Sequence, residues 1–189
     1  LYNDHLLGDP NRQYVETRLY AAENEYRFQR IYFDGLGREY RIVTSAYFDE
    51  KTNKSYVRIV DKEFNAQGRL SRQSNPYLAE EKDGGYTPVE GTKFFTVFSY
   101  DAAGRLIRKE HPESVPGNVV ATEYSYAAEA PYFVMGAKDP RGNWSYSRVD
   151  ARGKLVRKDE PEGARVSYAY DAAGRLVETR DAFGRRTAI

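Results

Sequence analysis

In the C-terminal half of the chain, hydrophobic positions recur every second residue. Val166, Tyr168 and Tyr170 fall on one face of an extended segment, with Ser167 and Ala169 on the other, and Phe98 and Tyr100 repeat the arrangement. Beyond Gly174, Arg175, Val177 and Thr179 alternate with Leu176, Glu178 and Arg180. Period two marks β-strands, because successive side chains of extended backbone point to opposite faces. Both faces of these segments are mixed in polarity, whereas a sandwich needs one apolar face per sheet. The pattern therefore predicts an all-β chain that need not be a sandwich. A single curved layer, with solvent or a cargo on its inner side, satisfies it.

Turn signals interrupt the alternation at regular intervals. Gly142, Gly163 and Gly184 are 21 and 21 residues apart, Gly153 and Gly174 are 21 apart, and the two series interleave at 11, 10, 11 and 10 residues. That spacing predicts tandem antiparallel β-hairpins. The flanking residues repeat as well. Tyr100-Asp-Ala-Ala-Gly-Arg-Leu106 recurs as Tyr170-Asp-Ala-Ala-Gly-Arg-Leu176, with looser copies at Phe33–Arg38, Phe64–Leu70 and Val149–Leu155. A proline follows the basic residue by seven positions in the pairs Arg69 and Pro76, Arg105 and Pro112, and Lys154 and Pro161. A second series of turns reads Asp139-Pro-Arg-Gly142, Glu160-Pro-Glu-Gly163 and Asp181-Ala-Phe-Gly184.

Each motif position has a physical role. An aromatic residue such as Tyr100 or Tyr170 ends the incoming strand. Asp34, Asn65, Asp101, Asp150 and Asp171 open the turns, where a short carbonyl-bearing side chain accepts from a backbone N–H two residues on. Gly37, Gly68, Gly104, Gly153 and Gly174 supply the left-handed conformation that closes a type I turn with a bulge. Arg38, Arg69, Arg105, Lys154 and Arg175 begin the outgoing strands. In the second series, proline presets φ at the first corner and glycine takes the positive φ.

The N-terminal part is less regular, since Gly37, Gly68 and Gly104 are 31 and 36 residues apart. Residues 1–94 are read as irregular repeats with an inserted hairpin and a loop, and residues 95–189 as regular hairpins, forming one continuous sheet with no independent domains. The inserted hairpin is Tyr40–Phe48 with Ser55–Phe64, joined by Asp49–Lys54. The loop is placed at Asn75–Thr92, with one helical turn at Leu78–Lys82. Residues 119–138 hold a degenerate repeat, in which Tyr126-Ala-Ala-Glu-Ala130 lacks both Asp and Gly and needs a different turn. Residues 1–24 show no motif and are read as a strand from a preceding region.

The Tyr-Asp-x-x-Gly-Arg-Leu units at 100–106 and 170–176 resemble YD repeats, also called RHS repeats. Tyr32-Phe-Asp-Gly-Leu-Gly-Arg38 resembles the region of bacterial Tc-type insecticidal toxin components that precedes their denser repeats. The resemblance covers 95–189 well and 25–94 more loosely, and it does not reach the residues before them. It implies a β-strip that spirals into a hollow shell, holding a toxic C-terminal domain in Tc and polymorphic RHS toxins and serving adhesion in the teneurins. This chain is then a structural shell segment of a secreted or injected toxin protein, encapsulating and protecting a toxic cargo domain. Its partners are the remaining repeats, the encapsulated domain and other toxin-complex subunits. The alternative is a cell-surface carbohydrate- or protein-binding repeat module. The Gly/Pro/Asp-rich self-cleaving core of such families has no match here.

Composition adjusts this picture only at a few points. The 17 Tyr and 9 Phe fit strands, and the net charge of +1 gives no reason to expect nucleic acid or an anionic membrane. The absence of cysteine excludes disulfides and thiolate metal sites. The chain opens at Leu1 and shows no signal peptide, which is read as a fragment or a processed product. No enzyme, metal or cofactor is expected. The acidic residues Asp34, Asp101, Asp150 and Asp171 recur at one repeat position, as turn openers do and a glycosidase pair does not. His5 and His111 lack a second ligand at metal spacing. Asp139-Pro-Arg-Gly-Asn143 lacks the alternating ligands and terminal Glu of a calcium loop. The basic ladder Arg38, Arg69, Arg105, Lys154 and Arg175 is read as cross-strand ion pairing, not as a nucleic-acid surface.

Overall fold

A computed structural model describes residues 13–22, 25–89, 93–112 and 120–189. It is antiparallel β throughout, with a single 3-10 turn at Pro161–Gly163 among the described residues. His5 and the first part of 1–24 lie outside them. The chain divides into a first unit ending at Val97 and a second beginning at Phe98.

The first unit contains β1 (Tyr14–Ala22), β2 (Glu25–Phe33), β3 (Glu39–Asp49), β4 (Lys54–Phe64), β5 (Leu70–Ser74), β6 (Tyr77–Lys82), β7 (Gly85–Pro88) and the start of β8 (Phe95–Tyr100). The strands β1 to β4 are neighbours in sequence order. The long strand β4 then serves two partners: Ser55–Ile59 pair with β6, and Lys62–Phe64 pair with β5. Phe95–Val97 of β8 pair with β5.

The region expected as a loop with a helical turn is instead the hairpin β6–β7. Leu-Ala-Glu-Glu-Lys at 78–82 are good helix formers, but tertiary packing overrides so weak a preference. Here Ala79 sits opposite Val57 and is fully buried, so the segment is held extended by the face it packs on. Asp83 and Gly84 join the two strands at φ 52° and 78°, the positive pair that a two-residue primed turn requires.

The core lies on one face of this unit. Tyr32, Val43, Val57, Ile59 and Ala79 are buried, flanked by Tyr14, Phe28, Tyr40, Tyr77 and Tyr86. In a flat sheet β2 and β7 would stand four spacings apart, roughly 19 Å. Yet the rings of Tyr32 and Tyr86 are 6.3 Å apart at 90°, and their hydroxyls are 2.8 Å apart. The sheet of the first unit is therefore curled into a trough, and a one-layer sheet obtains a dry interior by folding over itself. Burial, and then the Tyr86 contact, raise the Tyr32 hydroxyl above the ordinary phenol range.

The second unit is a meander: β9 (Leu106–His111), β10 (Val120–Glu129), β11 (Tyr132–Lys138), β12 (Trp144–Val149), β13 (Leu155–Asp159), β14 (Arg165–Tyr170), β15 (Leu176–Asp181) and β16 (Arg186–Ala188). Each pairs antiparallel with the next. The degenerate repeat turns through Ala130-Pro131, a cis peptide between the paired residues Glu129 and Tyr132. Val134 is the buried hydrophobic side chain of this unit among the described residues. Beside it, the rings of Trp144 and Tyr146 stack 5.6 Å apart at 12°. They close over Gly136, where an added Cβ would stand 2.9 Å from Tyr146 and 3.1 Å from Trp144. Glycine is needed there because the Ser125 hydroxyl, the nearest atom, and the aromatic pair together occupy the side-chain volume.

Candidate functional site

The repeating feature of the structure is the turn. At Asp101 the backbone N–H donates to the Arg105 carbonyl at 2.9 Å, and the Gly104 N–H donates back to the Asp101 carbonyl at 2.9 Å. The same two bonds close the turns at Asp34, Asn65, Asp139, Asp150, Asp171 and Asp181, all between 2.8 and 3.1 Å. The fourth residue of each is a glycine at positive φ, from 74° at Gly37 to 91° at Gly142. An L-residue with a β-carbon pays a steric penalty in that conformation. Asp139 and Asp181 of the second series thus share the geometry of the first. Glu160 makes the same first bond, its N–H donating to the Ala164 carbonyl at 2.7 Å, but both Glu162 and Gly163 take positive φ, at 63° and 83°.

The side chain of the opening residue explains the difference. Asp34 Oδ1 accepts from the amides of Leu36 and Arg38 at 2.9 and 3.0 Å, and Oδ2 accepts from Arg38 Nε at 2.8 Å. Asp101 and Asp171 hold Arg105 and Arg175 in the same way, Nε to Oδ2 at 2.8 Å in each. Asp150 caps the Arg152 and Lys154 amides. Asn65 caps the amides of Gln67 and Arg69 at 3.0 and 2.9 Å with its amide oxygen. At Asp139 the Asn143 side-chain amide replaces the arginine, 3.0 Å from Oδ2. A glutamate is one methylene too long for this local capping. The Asp139 carboxylate oxygens, in the loop that lacks a calcium loop's ligands, are thus occupied by N–H groups of their own turn. The paired charges are within one turn, at positions i and i+4, so the cross-strand reading of the ladder is corrected for Arg38, Arg105 and Arg175.

The basic residue has a second contact that the spacing did not reveal. Arg38 lies over the ring of Phe64 at 4.4 Å, Arg105 over Tyr126 at 4.7 Å, and Lys154 over Tyr170 at 5.7 Å. Each ring belongs to the strand that pairs with the one the basic residue starts. The Tyr126 hydroxyl donates to the Leu106 carbonyl and the Tyr170 hydroxyl to the Leu155 carbonyl, both at 2.9 Å. One turn is thereby tied to the strand of the next by a cation–π contact worth ~0.5–1 kcal/mol at an exposed site. The fixed aromatic-Asp and Arg-Leu flanks of the motif were the available signal. They read as two separate local roles because the contact joins different copies.

Electrostatically the turns are set for neutral pH. The Arg105 amide holds the Asp101 carboxyl below the ordinary range; burial opposes it, and the Arg105 side chain adds to the lowering. The Arg175 amide and side chain do the same at Asp171, and the Arg38 side chain and amide at Asp34. A carboxyl lowered in the folded state stabilises above its unfolded value, about 4, and that stabilisation is lost as pH falls through the folded value. Asn65 carries no such proton. On lowering the pH from about 5 to about 3, amide protection at Arg105 and Arg175 is expected to fall relative to that at Arg69. Hydrogen exchange resolved by residue measures this, and equal loss at all three would show that the carboxylates do not hold the turns.

Other candidates are local. His111 Nε2 stands 3.3 Å from Thr122 Oγ1 on the adjacent strand. Among the described residues no three His, Cys, Asp or Glu side chains are grouped to hold a metal ion.

Residues 149–187 match the family model described as RHS Repeat. A tRNA3(Ser)-specific nuclease WapA of Bacillus spizizenii is 34% identical over 95 residues, which are 50% of this chain and 4% of that protein. The tRNA nuclease WapA of Bacillus subtilis is 32% identical over the same shares. This chain thus spans about 4% of the length of these curated relatives. Among solved structures, TcdB2-TccC3 matches 89% of this chain and 10% of its own at a TM-score of 0.60 and 17% identity. The Photorhabdus luminescens Tc holotoxin pore matches 90% and 10% at 0.59 and 15%. At those identities the likeness is one of fold.

Proposed function

From an RHS/YD-repeat protein that resembles Tc toxin components, we propose a wall segment that encapsulates and shields a toxic cargo domain of a secreted or injected protein, with no catalysis of its own. The observation that carries this reading is the turn-to-strand tie. Arg105 and Lys154 each bind back into the turn they close and forward onto the ring of the following strand. Such a unit adds hairpins one after another without needing a buried core for each, as a wall requires. The fold matches a tenth of much longer chains, which supports a segment reading. The nuclease names belong to proteins of which this chain matches about 4%, which leaves most of their length for nuclease chemistry and is in keeping with a wall role here. Its neighbours in the assembly are further repeats, the enclosed domain and other toxin-complex subunits.

The reading is tested at its carboxylates. Asp101→Asn and Asp171→Asn keep an oxygen for the turn amides, as Asn65 does. Both variants are expected to leave the activity of the full-length protein unchanged in a cell-killing assay. Abolished activity with an intact far-ultraviolet dichroism spectrum would overturn the structural assignment.

A further inference from the structure

The chain contains two Asp-Gly steps, Asp34-Gly35 and Asp83-Gly84. In such a step the aspartyl carboxyl and the next backbone nitrogen can close a five-membered ring, and glycine puts no side chain in the way. The fold treats the two carboxyls differently. At Asp34, Oδ1 accepts from the amides of Leu36 and Arg38, and Oδ2 accepts from Arg38 Nε at 2.8 Å. Ring closure there has to break these bonds first. The same contacts hold the carboxyl in its ionised form, which resists attack by an amide nitrogen. The Asp83 side chain is exposed and has no hydrogen-bond or ion-pair partner among the described residues. Asp83 also stands at φ 52°, where a residue with a β-carbon is strained. Nothing crowds its neighbour, since a Cβ added at Gly84 would meet no atom within 4 Å. The turn leads into β7, a four-residue strand whose partner among the described strands is β6, so its tip opens locally at little cost.

We propose that Asp83 is a site of spontaneous isoaspartate formation, and that the capping bonds of Asp34 protect the other Asp-Gly step. The Gly84 backbone nitrogen attacks Cγ of the protonated Asp83 carboxyl. A C–N bond forms, the amide proton and the carboxyl hydroxyl leave as water, and a succinimide ring remains. Water then adds to the ring carbonyl that came from the Asp83 main chain, and the bond from that carbon to the Gly84 nitrogen breaks. The α-carboxyl is set free and the chain now runs through Cγ. Composition is unchanged, but the main chain of a two-residue turn is one carbon longer. The hairpin β6–β7 carries Ala79 onto Val57, and Tyr86 onto Tyr32 and Arg30, so the added carbon falls where the strands that close the trough are held in register. The inference rests on two turns of the first unit and does not depend on encapsulation.

The whole chain is incubated for several weeks at neutral pH, below its melting temperature, and in parallel unfolded in urea. Isoaspartate is read at each step by mass spectrometry of proteolytic fragments. It is read independently by methyl transfer from S-adenosylmethionine with an isoaspartate-specific methyltransferase. In the folded chain, conversion at Asp83 is expected to exceed that at Asp34 by about tenfold or more, the factor that a barrier raised by one lost hydrogen bond supplies. In urea the two steps should convert at similar rates, because the capping bonds are gone. Asp83→Glu keeps the charge but would need a six-membered ring, and it should remove most of the methyl acceptance of the folded chain. Conversion at Asp83 no faster than at Asp34 in the folded chain, the same ratio of the two in urea as in the folded chain, or full methyl acceptance in Asp83→Glu would overturn the assignment.

Discussion

Replacing Ile59 by alanine is expected to destabilise the first unit by ~3 kcal/mol, the largest effect of a single truncation in this chain. Ile59 is fully buried and lies in the middle of β4, between Val43 on β3 and Tyr77 on β6. A curled single layer has few wholly buried side chains to share the loss. Tyr32, Val43, Val57 and Ala79 are the others in this cluster. The cavity left by Ile59→Ala is bounded by hydrogen-bonded strands that close in only partly. Urea unfolding followed by far-ultraviolet dichroism measures the change. A shift under about 1 kcal/mol would mean that the trough is not a packed core.

The second large effect is expected at Asp61, which is 8% exposed. Its Oδ1 accepts from Arg41 Nε at 2.6 Å, and its Oδ2 from Lys93 Nζ and the Tyr77 hydroxyl, each at 2.8 Å. Its own N–H donates to Ser74 Oγ, itself buried, at 2.8 Å. Burial raises this carboxyl, but the bonds from Arg41, Lys93 and Tyr77 outweigh it and leave it below the ordinary range. Asp61→Ala strands two cations and a phenol that were arranged around it, and breaking such a buried set costs about 3–5 kcal/mol. Arg41 and Lys93 are about a third exposed, so water recovers part of that, and ~2–3 kcal/mol is expected. Asp61→Asn keeps the shape and should lose less. Equal stability of Asp61→Ala and the parent in urea would show that the cluster is incidental. The lowered carboxyl also makes this stabilisation vanish as pH falls below about 4, in the same direction as at the turns.

The hairpin fold was legible because its code is local. Asp or Asn followed at the third position by Gly forces a turn wherever it falls, and alternating Tyr and Val mark what lies between. The hairpin β6–β7 was missed although Asp83-Gly84 carries the same kind of signal. Its flanks, Leu78–Lys82, prefer helix, and only the packing of Ala79 under the curled sheet decides against it. What stayed hidden is what depends on contacts distant in sequence. The curl that sets Tyr32 against Tyr86 spans 54 residues, and Arg30 with Glu81 spans 51. Neither has a local motif. The rings under Arg38, Arg105 and Lys154 were visible as motif positions, but each lies in another copy. Glu160 shows the limit of the code: it occupies the place of Asp139 and Asp181 and builds a different turn.

The central claim, that these hairpins form a wall around a cargo, is tested most directly by timed protease digestion of the full-length protein. Digestion is compared with the same protein carrying Gly174→Val and with the cargo domain alone. Gly174 has φ 78°, where a β-branched residue is strained, so the variant opens the wall at one turn. The account predicts that the cargo survives in the parent protein long after the free domain has been degraded. In Gly174→Val, the first cuts should fall near residues 171–175, and cargo fragments should follow. Cleavage of the cargo in the intact protein as fast as in the free domain would contradict it.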